Sequence, residues 1–236
     1  VAECFKTKIV TTMDNSKIPG SYHFAFDENH AVESAKGIIR LAIETFKERK
    51  GNACDIPQVK SKVVAGFSLE AILELFASIN PEKPISVLTD AIEAGELAGV
   101  ALFAGCNNLE AVHDHAHITI AKELAKANVL MVGTGCSAQA LAKAGLLDPA
   151  SVEEYAGDGL KSFLKRVADA NKDKLTDGLP IMFHMGSCVD NCRAHDLHTL
   201  MAEEMGVDVP KVPFVATAPE AMSEKAVSIA GALVAM

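Results

Sequence analysis

Two rhythms of apolar and polar positions run along the chain. The stretch TKIVTT (residues 7–12) is rich in β-branched residues, which favour extended backbone. Residues 31–49 then place Ala35, Ile38, Ile39, Ala42, Ile43 and Phe46 at helical spacing. Together they read as one βα unit. Residues 50–61, KGNACDIPQVKS, are polar, contain Gly and Pro and show no period, which predicts a boundary or linker. Beyond it the pattern alternates: strand KVVAGF (62–67), a helix from Ser68, a second helix around 85–94, strand GVALFAG (99–105) and a helix from about His113. Next come strand VLMVGTG (129–135), a helix from Ser137 and a long amphipathic stretch from Ser151 to about Lys174. Strand PIMFHMG (180–186), a helix from about Asp190, strand VPFVATA (212–218) and a last helix from about Met222 complete the series. Strands that are continuously apolar, with helices between them, predict an α/β fold with a doubly wound, Rossmann-like parallel sheet covered on both faces.

Composition narrows the function classes. With 236 residues and 49% hydrophobic side chains, the chain has ample material for a core. Its 31 acidic against 22 basic residues, a net charge of −9, repel a phosphate backbone, and the absence of Trp with only two Tyr removes the stacking platforms of a single-strand binder. Nucleic acid is therefore not an expected partner. No apolar run is long enough for a membrane span, and VAECFKTKIVTT lacks a signal-peptide pattern, so a cytoplasmic location is expected. Six cysteines without the tight pairing of secreted modules point to reduced thiols, buried or metal-bound.

Three of those cysteines occupy one topological position. Cys106, Cys136 and Cys188 each follow a buried-type strand and a glycine and each precede a helix. In a doubly wound sheet such points lie along the carboxyl edge, where ligands bind, so thiols 30 and 52 residues apart in sequence can converge. Glycine allows a tight turn and close approach to a bulky inorganic group, and a helix N-terminus favours the thiolate. Zinc or an iron–sulfur cluster needs such thiolates. The plainer reading, that each cysteine is a small buried hydrophobe, suits any one of them better than all three together. Zinc is the weaker choice because the chain contains no CxxC; Cys188 and Cys192, four apart, could share a helix face. Three ligands leave a four-iron cluster short, so others must come from elsewhere.

The remaining candidates carry less. HDHAH, with His113, Asp114, His115 and His117, looks like a metal tract but sits at a helix start, where polar residues are common. His184 lies inside an apolar strand and reads as a hydrogen-bonded core or supporting residue; His195 and His198 read as solvated helix positions. GTGC offers a lone GxG, too little for a dinucleotide site. Lys225 follows the turn after the last strand, which puts an amine near the carboxyl edge, although a surface lysine is the default. Cys4 and Cys54 have no comparable placement.

In order along the chain, AGCNN, GTGCSAQALAKAGLLDP, HMGSCVDN and APEAMSEKAV resemble the carboxyl-terminal half of the anaerobic nickel–iron carbon monoxide dehydrogenases, and the similarity extends to ECFKTKIVTT, KIPGSYH and VVAGFSLEAI. The resemblance implies that Cys106, Cys136 and Cys188 are ligands of a nickel–iron–sulfur cluster, with Cys188 reaching nickel, and that Lys225 is the catalytic lysine assisting carbon dioxide and proton handling. It implies interconversion of CO plus water with CO2, a ferredoxin-like electron acceptor, a homodimer, and additional [4Fe-4S] clusters. Those clusters, with a histidine and two further cysteines of the active-site set, belong to family regions this chain lacks. The family commonly has Ser where Cys192 stands, so that thiol is an alternative ligand or incidental.

The chain starts at Val1 and ends within the apolar run EKAVSIAGALVAM without a capping residue, which reads as part of a longer protein. On the resemblance, residues 1–57 are the tail of a middle α/β domain and 58–236 a truncated carboxyl-terminal, cluster-ligating domain. Two rivals remain: a hybrid-cluster-type iron–sulfur protein, and a cluster-free structural domain with merely buried cysteines.

Overall fold

A computed structural model describes residues 8–48, 58, 60–108, 110–221, 227 and 231. The chain divides into two units, Val1–Val59 and Lys60–Met236. In the first, β1 (Val10–Thr11) pairs in parallel with β2 (Tyr22–His23), and α1 spans Ala31–Glu48. The apolar period of this helix is the one expected, yet none of its residues is buried; Val32, Ile39, Ile43 and Phe46 are all exposed.

The second unit is built on a four-stranded, all-parallel sheet. Its strands are β3 (Gly99–Phe103), β4 (Val129–Thr134), β5 (Met182–Gly186) and β6 (Phe214–Thr217), in the order β5-β4-β3-β6. The helices are α2 (Leu69–Ala77), α3 (Ser86–Glu93), α4 (His115–Lys126), α5 (Gly135–Lys143), α6 (Ser151–Tyr155), α7 (Asp158–Ala170) and α8 (Asn191–Met205). From β3 the chain steps outward to β4 and β5, then α8 carries it back across to β6 on the other side of β3. Right-handed crossovers in opposite directions put their helices on opposite faces. Accordingly α4 packs against α5 and α6, whereas α8 packs against α2 and α3. This is the doubly wound arrangement that the strand pattern predicts. Every residue of β3 is buried, as expected of a central strand covered on both faces.

Three local expectations need correction. KVVAGF forms no strand. Among the described residues two of its N–H groups find ladder-like partners, Val64 to the Leu147 carbonyl and Phe67 to the His184 carbonyl, and Gly66 between them has φ +96°, which breaks the extended run. The stretch from Ser151 is two helices, α6 and α7, because Ala156 and Gly157 are extended. Gly157 lets the chain pass against the end of α4: its N–H donates to the Ala125 carbonyl at 2.9 Å, and Asn128 Oδ1 accepts from the Leu160 N–H at 3.1 Å. Finally, α5 begins at Gly135 instead of Ser137, which brings Cys136 into its first turn. Of the expected last helix, only Val227 and Gly231 are described, both helical.

The core gathers Val100, Leu102 and Phe103 with Leu130, Val132, Met182 and Phe183 from the sheet and Phe76, Phe163 and Leu197 from the helices. Asn171 anchors the end of α7 to α2. It is buried, its Nδ2 donates to the carbonyls of Leu75 (3.0 Å) and Val167 (2.8 Å), and its Oδ1 accepts from Ser78 Oγ at 2.8 Å.

Candidate metal centre

The three cysteines fall at the carboxyl ends of three adjacent strands: Cys106 after β3, Cys136 after β4 and Cys188 after β5. All three are exposed. Cysteine ranks among the most buried residue types, so three surface thiols on one sheet edge do not fit the reading of small buried hydrophobes.

The HMGSCVDN segment shows how the sequence builds one of these turns. Pairing between β4 and β5 skips Met185, matching Gly133 with His184 but Thr134 with Gly186, a β-bulge next to the site. His184 Nδ1 accepts from the Gly186 N–H at 3.1 Å across that bulge. The half-buried imidazole has its pKa lowered by desolvation, which keeps it neutral and suited to accept. A side chain at residue 186 would meet the Asp190 carboxylate, which instead accepts from the Ser187 N–H (2.7 Å) and Oγ (3.0 Å) in a capping box. Cys188 therefore opens a short 3-10 turn (Cys188–Asp190) of well-defined geometry. Asn191 Oδ1 accepts from Thr134 Oγ1 at 2.5 Å, tying this turn to the end of β4.

The Cys136 turn is held against both neighbours. Gly135 has φ +56°, and a Cβ there would lie 3.1 Å from Cys188 Cβ, so the two turns touch. On the other side Ser137 Oγ donates to the Ala104 carbonyl at 2.5 Å, two residues before Cys106. Gly105, at φ +90°, lets the Cys106 turn press against Ala218 beyond β6.

The structure thus brings the three cysteine turns side by side. Among the described residues no three His, Cys, Asp or Glu side chains form a cage for a single metal ion. Three thiols on neighbouring turns offer the soft sulfur donors that zinc and iron–sulfur clusters both use. Lys225, Cys4 and Cys54 lie outside the described residues. Cys192, the second residue of α8, is exposed and its Sγ points toward the Val189 carbonyl at 3.9 Å.

The histidine tract divides. His113 and His115 are exposed, but His117 and Asp114 are buried, with Asp114 at φ +67° and paired to Lys143. His198 departs from the solvated role expected: it stacks on Phe214 with ring centroids 4.3 Å apart, because β6 lands beside α8. The polar residues that sequence reasoning missed are Asn107 and Glu220, which meet at the crossover between β3 and β6. No motif marks Glu220; its only signal is an acidic residue in the turn after an apolar strand.

Comparison with known proteins places this architecture. The model of the Prismane/CO dehydrogenase family matches residues 1–236. The chain belongs to that family. Within the Prismane/CO dehydrogenase family it is 60% identical over 231 residues to the carbon monoxide dehydrogenase/acetyl-CoA synthase subunit beta of Moorella thermoacetica, covering 97% of this chain and 34% of the relative. It is 51% identical over 229 residues to carbon monoxide dehydrogenase 2 of Carboxydothermus hydrogenoformans, covering 97% of this chain and 36% of the relative. A solved acetyl-CoA synthase/carbon monoxide dehydrogenase structure, described for NiZn[Fe4S4] and NiNi[Fe4S4] clusters in its alpha subunits, superposes with a TM-score of 0.90 at 60% identity, over 97% of this chain and 34% of that one. The chain spans about a third of the length of these relatives. Among the described residues no helix is long and apolar enough to cross a membrane.

Proposed function

We propose that this chain is part of the catalytic subunit of an anaerobic, cytoplasmic carbon monoxide dehydrogenase, interconverting CO plus water with CO2 while two electrons pass to a ferredoxin-like acceptor. The observation that carries the reading is the row of exposed thiols, Cys106, Cys136 and Cys188, at adjacent strand ends, in a chain whose high-identity relatives bear the dehydrogenase name.

Cys106, Cys136 and Cys188 hold part of a nickel–iron–sulfur cluster, Cys188 on the nickel side. Held there, the cluster would supply a site for CO, acidity for bound water and capacity for the two electrons. Gly135, Gly186 and the Ser187–Asp190 box fix where the thiolates project, so little ordering remains when the cluster is acquired. Lys225 supplies a cation for oxygens that become negative as CO2 forms or reacts, and serves in proton handling. The remaining ligands and the additional [4Fe-4S] clusters belong to the rest of the subunit, and the intact protein is a homodimer.

A hybrid-cluster-type role is the runner-up within the same family. The dehydrogenase relatives at 60% and 51% identity favour the first reading. The test is anaerobic production of the full-length protein with nickel and iron analysis and a CO-oxidation assay. Nickel and iron bound in the parent, with turnover lost in Cys188→Ala and the fold retained, is the expected result. A full-length protein without either metal refutes the enzyme reading, and retained turnover in Cys188→Ala refutes the ligand assignment.

A further inference from the structure

At the crossover of the sheet, β3 and β6 lie side by side while their connections run in opposite directions. A carboxylate is buried there: Glu220, 3% exposed. Its Oε2 accepts from Asn107 Nδ2 at 3.0 Å and from the Asp114 N–H at 3.2 Å, and its Oε1 accepts from the Ala116 N–H at 3.0 Å. Asn107 Nδ2 also donates to Asp114 Oδ1 at 2.7 Å. The fully buried His117 ring stands against the same group, Nε2 3.9 Å from Oε2.

A buried carboxylate is tolerated where donors surround it, and removing one partner leaves a costly unpaired group. A network of this kind is unnecessary for joining β3 to β6, because the strands are already paired from Val100–Phe214 to Phe103–Thr217. What it adds is a link beyond the strand ends. Asn107 directly follows Cys106, Asp114 and Ala116 flank the start of α4, and Glu220 lies between β6 and Lys225.

We propose that Glu220 is a positioning residue: by holding Asn107 and the start of α4, it fixes the Cys106 turn against the turn that follows β6 and so sets how the Cys106 thiolate meets the cluster. The proposal rests on the assignment of Cys106 as a ligand. Glutamine at 220 keeps the shape but turns an amide N–H2 toward groups that are themselves donors. Alanine at 107 removes one donor and leaves the other two in place.

The test uses the full-length protein, produced anaerobically, as parent, Glu220→Gln, Asn107→Ala, Cys106→Ala and the control Asn171→Ala, which breaks a comparable buried polar anchor between α7 and α2. Nickel and iron per polypeptide, the electron paramagnetic resonance signature of the cluster, kcat and KM, and thermal unfolding are measured on each. Glu220→Gln is expected to lower nickel occupancy about 10-fold and to shift the cluster signature, with Asn107→Ala moving both in the same direction by less. Asn171→Ala is expected to lower the melting temperature and leave occupancy and signature at the parent's values. Parent-like occupancy and signature in both Glu220→Gln and Asn107→Ala overturn the proposal, as does an equal shift in Asn171→Ala. If Glu220→Gln fails to fold, Asn107→Ala decides alone. Cys106→Ala separates the two levels: a parent-like cluster in that variant refutes the ligand assignment, whereas its loss there with no change at Glu220 removes only the positioning role.

Discussion

Replacing Gly135 by alanine isolates the contact between two cysteine turns. Gly135 has φ +56°, so any side chain meets the left-handed penalty of about 1–2 kcal/mol. The added methyl would also stand 3.1 Å from Cys188 Cβ and 3.3 Å from Cys188 Cα and N. Those are backbone or near-backbone atoms, pinned by the Ser187–Asp190 capping box, and cannot swing aside as a long side chain would. Crowding of this kind costs about 1–3 kcal/mol, which brings the expected total to about 2–5 kcal/mol. Gly145 supplies the control: its φ is +78°, but a methyl there meets nothing within 4 Å, so Gly145→Ala should lose only about 1–2 kcal/mol. Urea unfolding followed by far-ultraviolet circular dichroism, the appropriate signal in a chain without Trp, measures both. A Gly135→Ala variant no less stable than Gly145→Ala refutes the claim that the Cys136 and Cys188 turns are in tight contact.

Alanine at Cys106 or Cys136 should change unfolding stability of the metal-free chain by no more than about 0.5 kcal/mol, because both thiols are exposed; a large loss in urea titration would return them to the buried-hydrophobe class. Acid stability should carry the mark of Glu220. Burial alone would raise its pKa, but donation from Asn107, Ala116 and Asp114 outweighs this and lowers it to about 2, from an ordinary 4.5. Its contribution is therefore complete above about pH 4.5, fades as the unfolded chain takes up the proton below that, and is lost as pH falls through about 2. A Glu220→Gln variant whose stability falls between pH 4.5 and 2 as steeply as the parent's would contradict the network. Phe163→Ala should cost about 3–5 kcal/mol, since the ring is fully buried and meets Phe76 edge-on at 5.9 Å; a loss under 1 kcal/mol would mean that α7 is not part of the core.

Much of the scaffold is legible in the chain because burial on both faces demands continuous apolar runs. GVALF, VLMVGT and MFHMG announce strands, and the glycine-cysteine pairs after them announce turns at one edge. KVVAGF shows the limit of that logic. Its apolar content reflects packing of Phe67 on Phe183, rings 4.5 Å apart, instead of membership in the sheet, and one glycine at φ +96° suffices to bend it away. The amphipathic run from Ser151 keeps its period across Gly157, so no local signal reveals the break; the approach of Asn128 from the end of α4 imposes it.

Strand burial and chain connectivity are local and periodic properties, so the parallel α/β class and the shared topological position of the three thiols are readable from the residues alone. Which turns touch emerges from packing at a distance: Gly135 against Cys188, Thr134 to Asn191, and the Glu220 network between two strands more than 100 residues apart. Such polar links span elements with no common period, and a buried carboxylate becomes recognisable only when its donors, drawn from distant parts of the chain, are seen around it.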